Sequence, residues 1–367
     1  MRIGIVNDLS LARIAMSRAL LSSPNHEVAW TANDGGEAIA RTRADRPDLI
    51  LMDLYMPGID GVEATRQIMS ELPCAILLVT ATVSGHLDKV YEAMGHGALD
   101  AIDTPILGPR GELAGTRLLL DKIESVGQLI GKSTGSSLDP CGVAAIPPPS
   151  AGASLPMPPL HDLIVLGAST GGPRALVEVL SGLPATLASG IIIVQHLDSA
   201  FSQGLGQWLF EQTGRRVTLI SDGQVPNPGE VLLASTNDHL VLSEYRRLHY
   251  SIEPRMNSCR PSVDVFFESL ARNWPMPGIA VVLTGTGRDG ATGLLQLRSQ
   301  GWWTIAQEAS SSVAGELPRS AVEIGAAKEI LPLSRIADSI ACRVHIQNRA
   351  IEATTSCGAD SAAVDGW

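Results

Sequence analysis

Length, composition and charge narrow the classes of protein to which this chain can belong. It has 367 residues, of which 45% are hydrophobic and 4% aromatic, and its formal net charge is −11. This length favours two domains with aliphatic cores, and the negative charge without a basic cluster argues against nucleic acid as a partner. No apolar run approaches the ~18 residues that cross a membrane, and the five cysteines form no CxxC pair. We therefore expect a cytoplasmic protein, not a membrane protein, whose cysteines remain thiols.

Residues 1–125 alternate short apolar runs with amphipathic stretches. Strands are predicted at 2–6, 27–31, 49–52, 75–79 and 98–102, and helices at 11–21, 36–44, 62–71, 86–94 and 117–130. Five strand–helix units in succession predict a doubly wound parallel sheet with helices on both faces.

A second α/β pattern follows a segment of different composition. Residues 126–158 include a stretch rich in Ser, Gly and Pro, which is typical of a flexible linker. Residues 159–345 then predict strands at 163–167, 190–195, 217–221, 230–234, 279–283 and 303–306, and helices at 173–180, 202–211, 263–273 and 291–299. Alternation over 240–252 predicts a hairpin insertion, and the small polar tail 346–367 predicts disorder. The fold class is α/β, with two doubly wound parallel-sheet domains.

Polar side chains follow three strands of the first domain. Asp8 and Asp53 come after the first and third strands, and Thr80 ends the fourth. The carboxyl ends of parallel strands open onto one crevice, and carboxylates there suit Mg²⁺. An isolated acid at a strand end is usually a solvated loop residue, but three polar groups in this order favour a site.

Residues 1–125 resemble the response-regulator receiver domains, chiefly through DLILMDLYMPGIDGVEA and GALDAIDTP. The resemblance implies a flavodoxin-like fold, phosphorylation of Asp53 by a histidine kinase, Mg²⁺ held by Asp8 and Asp53, and a switch hydroxyl at Thr80. Two positions depart from the family pattern. Asn7 precedes Asp8 where an acidic pair is usual, and Thr104 stands where a lysine usually binds the phosphoryl oxygens. Thr104 is therefore a second switch position, and we expect weakened switching.

Three residues that suit nucleophilic catalysis follow three strands of the second domain. Ser169 lies in Gly167-Ala-Ser-Thr-Gly171, a G-x-S-x-G pattern between a strand and a helix. His196 and Asp289 each follow a later strand, at the same expected sheet edge. Each has an ordinary alternative, as a turn residue or an exposed histidine, but together they predict a Ser–His–Asp triad. Backbone N–H groups near Thr170 and Thr286 are candidates for the oxyanion hole.

The whole chain resembles the chemotaxis response regulators that are protein-glutamate methylesterases. The likeness rests on LIVLGASTGGPRAL, IIIVQH, RPSVDVFFESLA and VVLTGTGRDGATGL. It implies a three-layer α/β esterase domain that removes methyl groups from glutamate esters on chemoreceptors, releases methanol and needs no cofactor. Deamidation of receptor glutamines is implied by the family alone. The chain departs from the family pattern at Thr286, 314–318 and 235–237. These departures affect the expected substrate contacts more than the triad.

The partners implied are methyl-accepting chemoreceptors and a histidine kinase of the same pathway. The receiver is also similar to those of chemosensory methylesterases that control surface behaviour. The long linker predicts that the receiver docks against the esterase domain and restrains it. The alternative is a non-catalytic signalling adaptor with a degenerate esterase domain, against which the intact triad argues.

Overall fold

The computed structural model describes residues 1–80, 87–108, 113–130, 160–255 and 259–344. Residues 131–158 of the predicted linker and the whole predicted tail lie outside these residues. The first domain's last helix ends at Leu129, so it extends past residue 125 into the range that the sequence assigned to the linker.

The first domain is a five-stranded sheet between two layers of helices. All its neighbouring strands are parallel, in the order β2-β1-β3-β4-β5. Its strands are β1 (Arg2–Val6), β2 (Glu27–Ala32), β3 (Leu49–Met52), β4 (Ala75–Thr80) and β5 (Asp100–Asp103). Its helices are α1 (Ser10–Leu21), α2 (Gly35–Ala44), α3 (Gly61–Glu71), α4 (Leu87–Gly95) and α5 (Thr116–Leu129). These match the predicted elements and confirm the fold class for this half.

The fifth strand begins later than predicted. The N–H of Ala98 bonds to the carbonyl of Ala93, so Ala98 belongs to the turn that closes the C-terminus of α4, and Gly97 turns the chain at φ 113°. A hairpin of two short strands, β6 (Ile106–Leu107) and β7 (Leu113–Ala114), follows β5 and was not predicted. Strands of two residues are too short to give a sequence pattern.

The second domain is a seven-stranded parallel sheet covered by helices, with one antiparallel hairpin. The sheet order is β10-β11-β9-β8-β14-β15-β16, and the predicted hairpin is β12-β13. The strands are β8 (Leu163–Ala168), β9 (Gly190–Gln195), β10 (Val217–Leu219), β11 (Val231–Leu233), β12 (His239–Leu242), β13 (Leu248–Ser251), β14 (Ile279–Val282), β15 (Trp303–Gln307) and β16 (Glu329–Leu331). The helices are α6 (Gly172–Gly182), α7 (Ser199–Thr213), α8 (Val263–Asn273), α9 (Ala291–Ser299), α10 (Glu316–Glu323) and α11 (333–344). Sequence patterns missed α10, β16 and α11.

The two domains share one apolar cluster. Tyr91 and Met94 of α4 are buried together with Phe201 and Trp208 of α7. The rings of Tyr91 and Trp208 stack with centroids 5.7 Å apart, and the Tyr91 hydroxyl donates a 2.8 Å hydrogen bond to the carbonyl of Phe201. A buried polar group needs such a partner, so this bond fixes where α4 lies on α7.

Candidate active site

A tight turn between β8 and α6 presents Ser169. The turn is closed by Gly171 in the left-handed region at φ 77°, and a Cβ there would lie 2.5 Å from Val313. A Cβ on Gly285 would lie 2.6 Å from the Cβ of Ser169. Only glycine fits these two places, because the Val313 side chain packs against Gly171 and the Ser169 side chain packs against Gly285, with no room for a Cβ. The Ser169 N–H donates to the carbonyl of Thr284 at 3.0 Å, which ties the two loops together.

The predicted histidine and aspartate meet beside this elbow. β9 and β14 are the two neighbours of β8, so residues that follow all three strands share one edge. Nε2 of His196 lies 2.7 Å from Oδ2 of Asp289, and both side chains are nearly buried. Among the described residues, no hydrogen bond joins the Ser169 hydroxyl to the His196 ring. Catalytic hydrogen bonds are often long before substrate binds, so this gap does not disqualify the pair.

Asp289 is held at the N-terminus of α8. Its carboxylate accepts hydrogen bonds from the Ser262 hydroxyl at 2.6 Å and from the N–H groups of Val263 and Asp264 at 2.6 and 3.2 Å. Burial tends to raise the pKa of Asp289, but His196, Ser262 and Val263 hold it below the ordinary aspartate value. The positive end of the α8 dipole acts in the same direction. Asp289 is therefore built to stay ionised beside the histidine.

Asp289 has a further support that the sequence pattern did not predict. Ser262 caps α8, and its N–H donates to Nδ1 of His239, whose Nε2 lies 3.2 Å from the carbonyl of Pro254. Burial lowers the pKa of His239, which favours the neutral ring that can accept from Ser262. In the sequence, a serine before an apolar helix was the one local sign of this support. His239 gave no sign, because it begins a hairpin that is distant in sequence from Ser262 and Asp289.

Asp264 is a second buried acid beside the triad. Its carboxylate accepts from the N–H of Gly293 at 2.7 Å, which joins α8 to the start of α9. Burial, and then the nearby charge of Asp289, raise the pKa of Asp264 to about 7. The two acids thus titrate apart, and Asp289 is the one that stays charged.

The loop after β14 is braced by buried polar contacts. The Thr284 hydroxyl donates to the carbonyl of Thr170 at 3.0 Å and accepts from the N–H of Ala314 at 2.8 Å. Among the described residues, the N–H groups of Thr170 and Thr286 enter no backbone or side-chain hydrogen bond. The next N–H, of Gly287, donates to Glu316. Two unused donors therefore remain near Ser169, at the two predicted oxyanion positions.

The predicted acidic edge of the first domain is also assembled. Asp53 is 6% exposed, and its carboxylate accepts from the N–H of Leu54 at 2.7 Å and from the Asn7 amide at 2.8 Å. Burial, with a smaller contribution from the charge of Asp8, raises the pKa of Asp53 to about 7. A Cβ on Gly61 would lie 2.0 Å from the carbonyl oxygen of Asp53, so the turn after β3 requires glycine there.

The two switch threonines lie side by side at this edge. The N–H of Thr104 donates to the carbonyl of Thr80 at 3.0 Å, and both hydroxyls are buried without a hydrogen-bond partner. Arg13, which sequence reasoning missed, donates to the carbonyls of Asn7 and Asp8. Two cations of the sequence, Lys89 and Arg110, are candidates to replace the missing lysine. Lys89 binds Asp60 at 2.7 Å. Arg110, the other candidate, lies outside the described residues.

The first domain reaches the edges of the Ser–His–Asp site. The N–H of Gly171, two residues after Ser169, lies 3.4 Å from the carbonyl oxygen of Leu99. Asp103 at the end of β5 faces Asp198, two residues after His196. Burial, and then the charge of Asp198, raise the pKa of Asp103. The interface therefore flanks both the nucleophile and the histidine.

An acidic sheet edge in the first domain and a Ser–His–Asp arrangement in the second are the features of a receiver domain joined to a hydrolase domain. Two family models match: the response regulator receiver domain over residues 3–111 and the CheB methylesterase over residues 164–340. The chain belongs to the protein-glutamate methylesterase/protein-glutamine glutaminase family, as its full-length relatives show. It is 49% identical to such a protein from Burkholderia lata over 94% of this chain and 100% of the relative, and 46% identical to one from Pseudomonas aeruginosa over 93% and 99%.

Solved structures of single domains are also similar. The methylesterase catalytic domain of Thermotoga maritima CheB is 31% identical, with a TM-score of 0.46, and covers 50% of this chain and 98% of its own. The response regulator domain of the same organism's CheB is 27% identical, with a TM-score of 0.31, and covers 38% and 98%. In the part of the chain that the structure describes, no helix is long and apolar enough to span a membrane.

Proposed function

We propose that this chain hydrolyses glutamate γ-methyl esters on the cytoplasmic helices of chemoreceptors and releases methanol. The observation that carries the proposal is the 2.7 Å bond between His196 and Asp289 at the sheet edge where Ser169 emerges. Relatives that align over their whole length bear the name protein-glutamate methylesterase. The intact site and this relationship both favour an enzyme over the non-catalytic adaptor.

In the proposed reaction, Ser169 is the nucleophile and His196 is its base. Because Nε2 of His196 is engaged by Asp289, Nδ1 is the nitrogen that takes the serine proton. The Ser169 oxygen attacks the ester carbonyl, and ionised Asp289 stabilises the imidazolium that forms. His196 then returns the proton to the departing methoxide, so that methanol leaves and an acyl-enzyme remains.

Water completes the cycle by the same route. His196 removes a proton from water, hydroxide attacks the acyl carbon, and Ser169 recovers its proton as the glutamate carboxylate is released. The N–H groups of Thr170 and Thr286 would donate to the oxyanion in both halves of the reaction, and each such donor contributes about 2.7–4 kcal/mol in a comparable site. A glutamine side chain would react in the same way with ammonia as the leaving group, which is how the deamidase activity in the relatives' names would arise.

The receiver would control this reaction through phosphorylation of Asp53 by the kinase of the same pathway. Asp8 and Asp53 provide the oxygen ligands that suit Mg²⁺, and the effect of the Asp8 charge on the pKa of Asp53 places the two carboxylates within electrostatic reach. The bound ion would supply positive charge against the phosphoryl oxygens. The buried hydroxyls of Thr80 and Thr104 have no other partner and would donate to the phosphoryl group.

Docking of the receiver would restrain the esterase. Its contact at Gly171 and the Asp103 carboxyl within electrostatic reach of Asp198 lie two residues from Ser169 and from His196, so a receptor helix would compete with the receiver for the approach to the elbow. Phosphorylation would shift the population toward the undocked form, because it changes the β4 and β5 ends that lie next to this interface.

The test is to incubate the purified full-length protein with receptor membranes that carry labelled methyl esters, and to measure volatile methanol. We expect release by the wild type, an increase with a small-molecule phosphodonor and no release by Ser169→Ala. Wild-type protein that binds receptors but releases no methanol would favour the adaptor instead.

A further inference from the structure

A cysteine lies beside the catalytic histidine and aspartate. One ligand atom each from His196, Cys259 and Asp289 lies within 4.8 Å of the other two. Cys259 is half-buried, and it stands three residues before Ser262, in the turn that leads into α8. The proposed ester hydrolysis uses the histidine and the aspartate but leaves no role for this thiol.

We propose that these three residues form an inhibitory site for a zinc ion, or for another thiophilic divalent metal of similar size. Thiolate, imidazole and carboxylate are the ligands that Zn²⁺ takes in proteins, and three protein ligands with a fourth position open to water make a common coordination set. Hard cations such as Mg²⁺ prefer all-oxygen sites and suit this set poorly.

The spacing is close to what zinc requires. Bonds of about 2.0–2.3 Å in a tetrahedron place ligand atoms about 3.3–3.8 Å apart, so the thiol has to move inward by about 1.5 Å at most. The histidine and aspartate already touch at 2.7 Å through a hydrogen bond, and the metal would replace the shared proton and separate them slightly. Binding would also release the proton of the Cys259 thiol.

Either mode of histidine ligation removes the catalytic base. If Nδ1 binds the metal, it has no lone pair left for the Ser169 proton. If Nε2 binds, the ring proton moves to Nδ1, which then cannot accept from serine, and the bond to Asp289 is lost. The site therefore excludes catalysis while the metal is bound, and removal of the metal restores it.

The binding test uses the full-length protein, Co²⁺ as a spectroscopic probe and a phosphine reductant that does not compete as a thiol. We expect wild type and Cys342→Ser to show thiolate-to-cobalt charge-transfer absorption that Zn²⁺ displaces, and Cys259→Ser to lack it. Cys342 is an exposed cysteine in α11 and serves as the matched control. Absence of the band in wild type, or its survival in Cys259→Ser, would overturn the site.

The inhibition test rests on the proposed esterase activity, whereas the cobalt test does not, so the two can fail separately. Methanol release is measured against chelator-buffered free Zn²⁺, with Mg²⁺ as the control cation. Losing an outer partner of a metal ligand costs roughly 10–100-fold in affinity, so loss of a ligand itself should raise the half-inhibitory zinc concentration by at least about 10-fold in Cys259→Ser. Equal zinc sensitivity of the two proteins, or zinc binding to wild type without inhibition, would refute the proposal.

Discussion

The two functional sites occupy the same place in two parallel sheets but differ in how fully their polar groups are satisfied. In the esterase site, the Asp289 carboxylate accepts four hydrogen bonds. The Thr284 hydroxyl donates one hydrogen bond and accepts another. In the receiver site, the hydroxyls of Thr80 and Thr104 are buried without partners, and Asp53 has a pKa raised to about 7. The carboxylate of Asp289 is therefore held by protein groups, whereas the receiver site keeps two unused donors for the proposed phosphoryl group.

The largest effect should come from removing the nucleophile. Ser169→Ala should lower methanol release by roughly 10⁴–10⁶-fold, because the variant has no nucleophilic oxygen at the elbow beside His196. Circular dichroism and thermal unfolding should match the wild type, since the elbow is held by backbone contacts. Methanol release near the wild-type rate would remove Ser169 from the mechanism.

The next effect tests whether the hydrogen bonds to Asp289 matter for rate. Ser262→Ala removes a hydroxyl bond to a charged carboxylate, which contributes about 1.5–3 kcal/mol and corresponds to roughly 10–100-fold in kcat. The matched control is Ser269→Ala on the same helix, where the lost bonds are to Leu242 and Phe266 instead of the triad. Both variants should lose some stability, and an equal loss of kcat in both would show that Ser262 acts only through folding.

The receiver site should respond to an added cation. Thr104→Lys supplies the ammonium that this receiver lacks, and a charge-assisted hydrogen bond of about 1.5–3 kcal/mol should increase activation by a small phosphodonor on the order of tenfold. Asp53→Asn should show no activation. Strong activation of the wild type that Thr104→Lys leaves unchanged would show that the missing lysine does not limit the switch.

The incompleteness of the receiver site should also appear as a dependence of stability on pH. The folded pKa of Asp53 is raised to about 7 from 3.8, so its contribution to stability is full below about pH 4 and is lost as the pH rises to about 7. Without Mg²⁺, Asp53→Asn should therefore gain stability relative to the wild type by about 2–3 kcal/mol more at pH 8 than at pH 5. Urea unfolding at the two pH values measures this difference, and a gain independent of pH would contradict it.

The smallest effect concerns the contact between the two regions. Tyr91→Phe removes the hydroxyl bond to Phe201 but keeps the ring against Trp208, so docking should weaken by about 1 kcal/mol and unphosphorylated activity should rise by up to roughly fivefold. Thr304→Val, which removes a buried hydroxyl bond to the carbonyl of Ala326 inside the catalytic domain, is the control and should leave the basal rate unchanged. Lower activity in Tyr91→Phe would argue against restraint by docking.

The sequence predicted the sheets and the triad because both rest on local signals: buried apolar runs, and polar residues that follow them. It could not predict the His239–Ser262 support, whose partners lie 23 and 27 residues apart and meet only through the fold. β16 contains only two apolar residues, Ile330 and Leu331, and Ile330 is exposed, so no buried apolar run marks this strand. Tyr91 has the sequence character of an ordinary core residue. The subgroup of methylesterases and the strength of phosphorylation control stay predictions.

Because the two domains belong to one chain, the interface at Gly171 should affect the steady-state kinetics of the enzyme. A domain that covers a site in its own chain is an intramolecular competitor, present at an effective concentration that dilution cannot change. A receptor helix has to outcompete it, so restraint should raise the apparent KM more than it lowers kcat. Dense receptor clusters would then relieve part of the restraint by mass action, before any phosphoryl group is transferred.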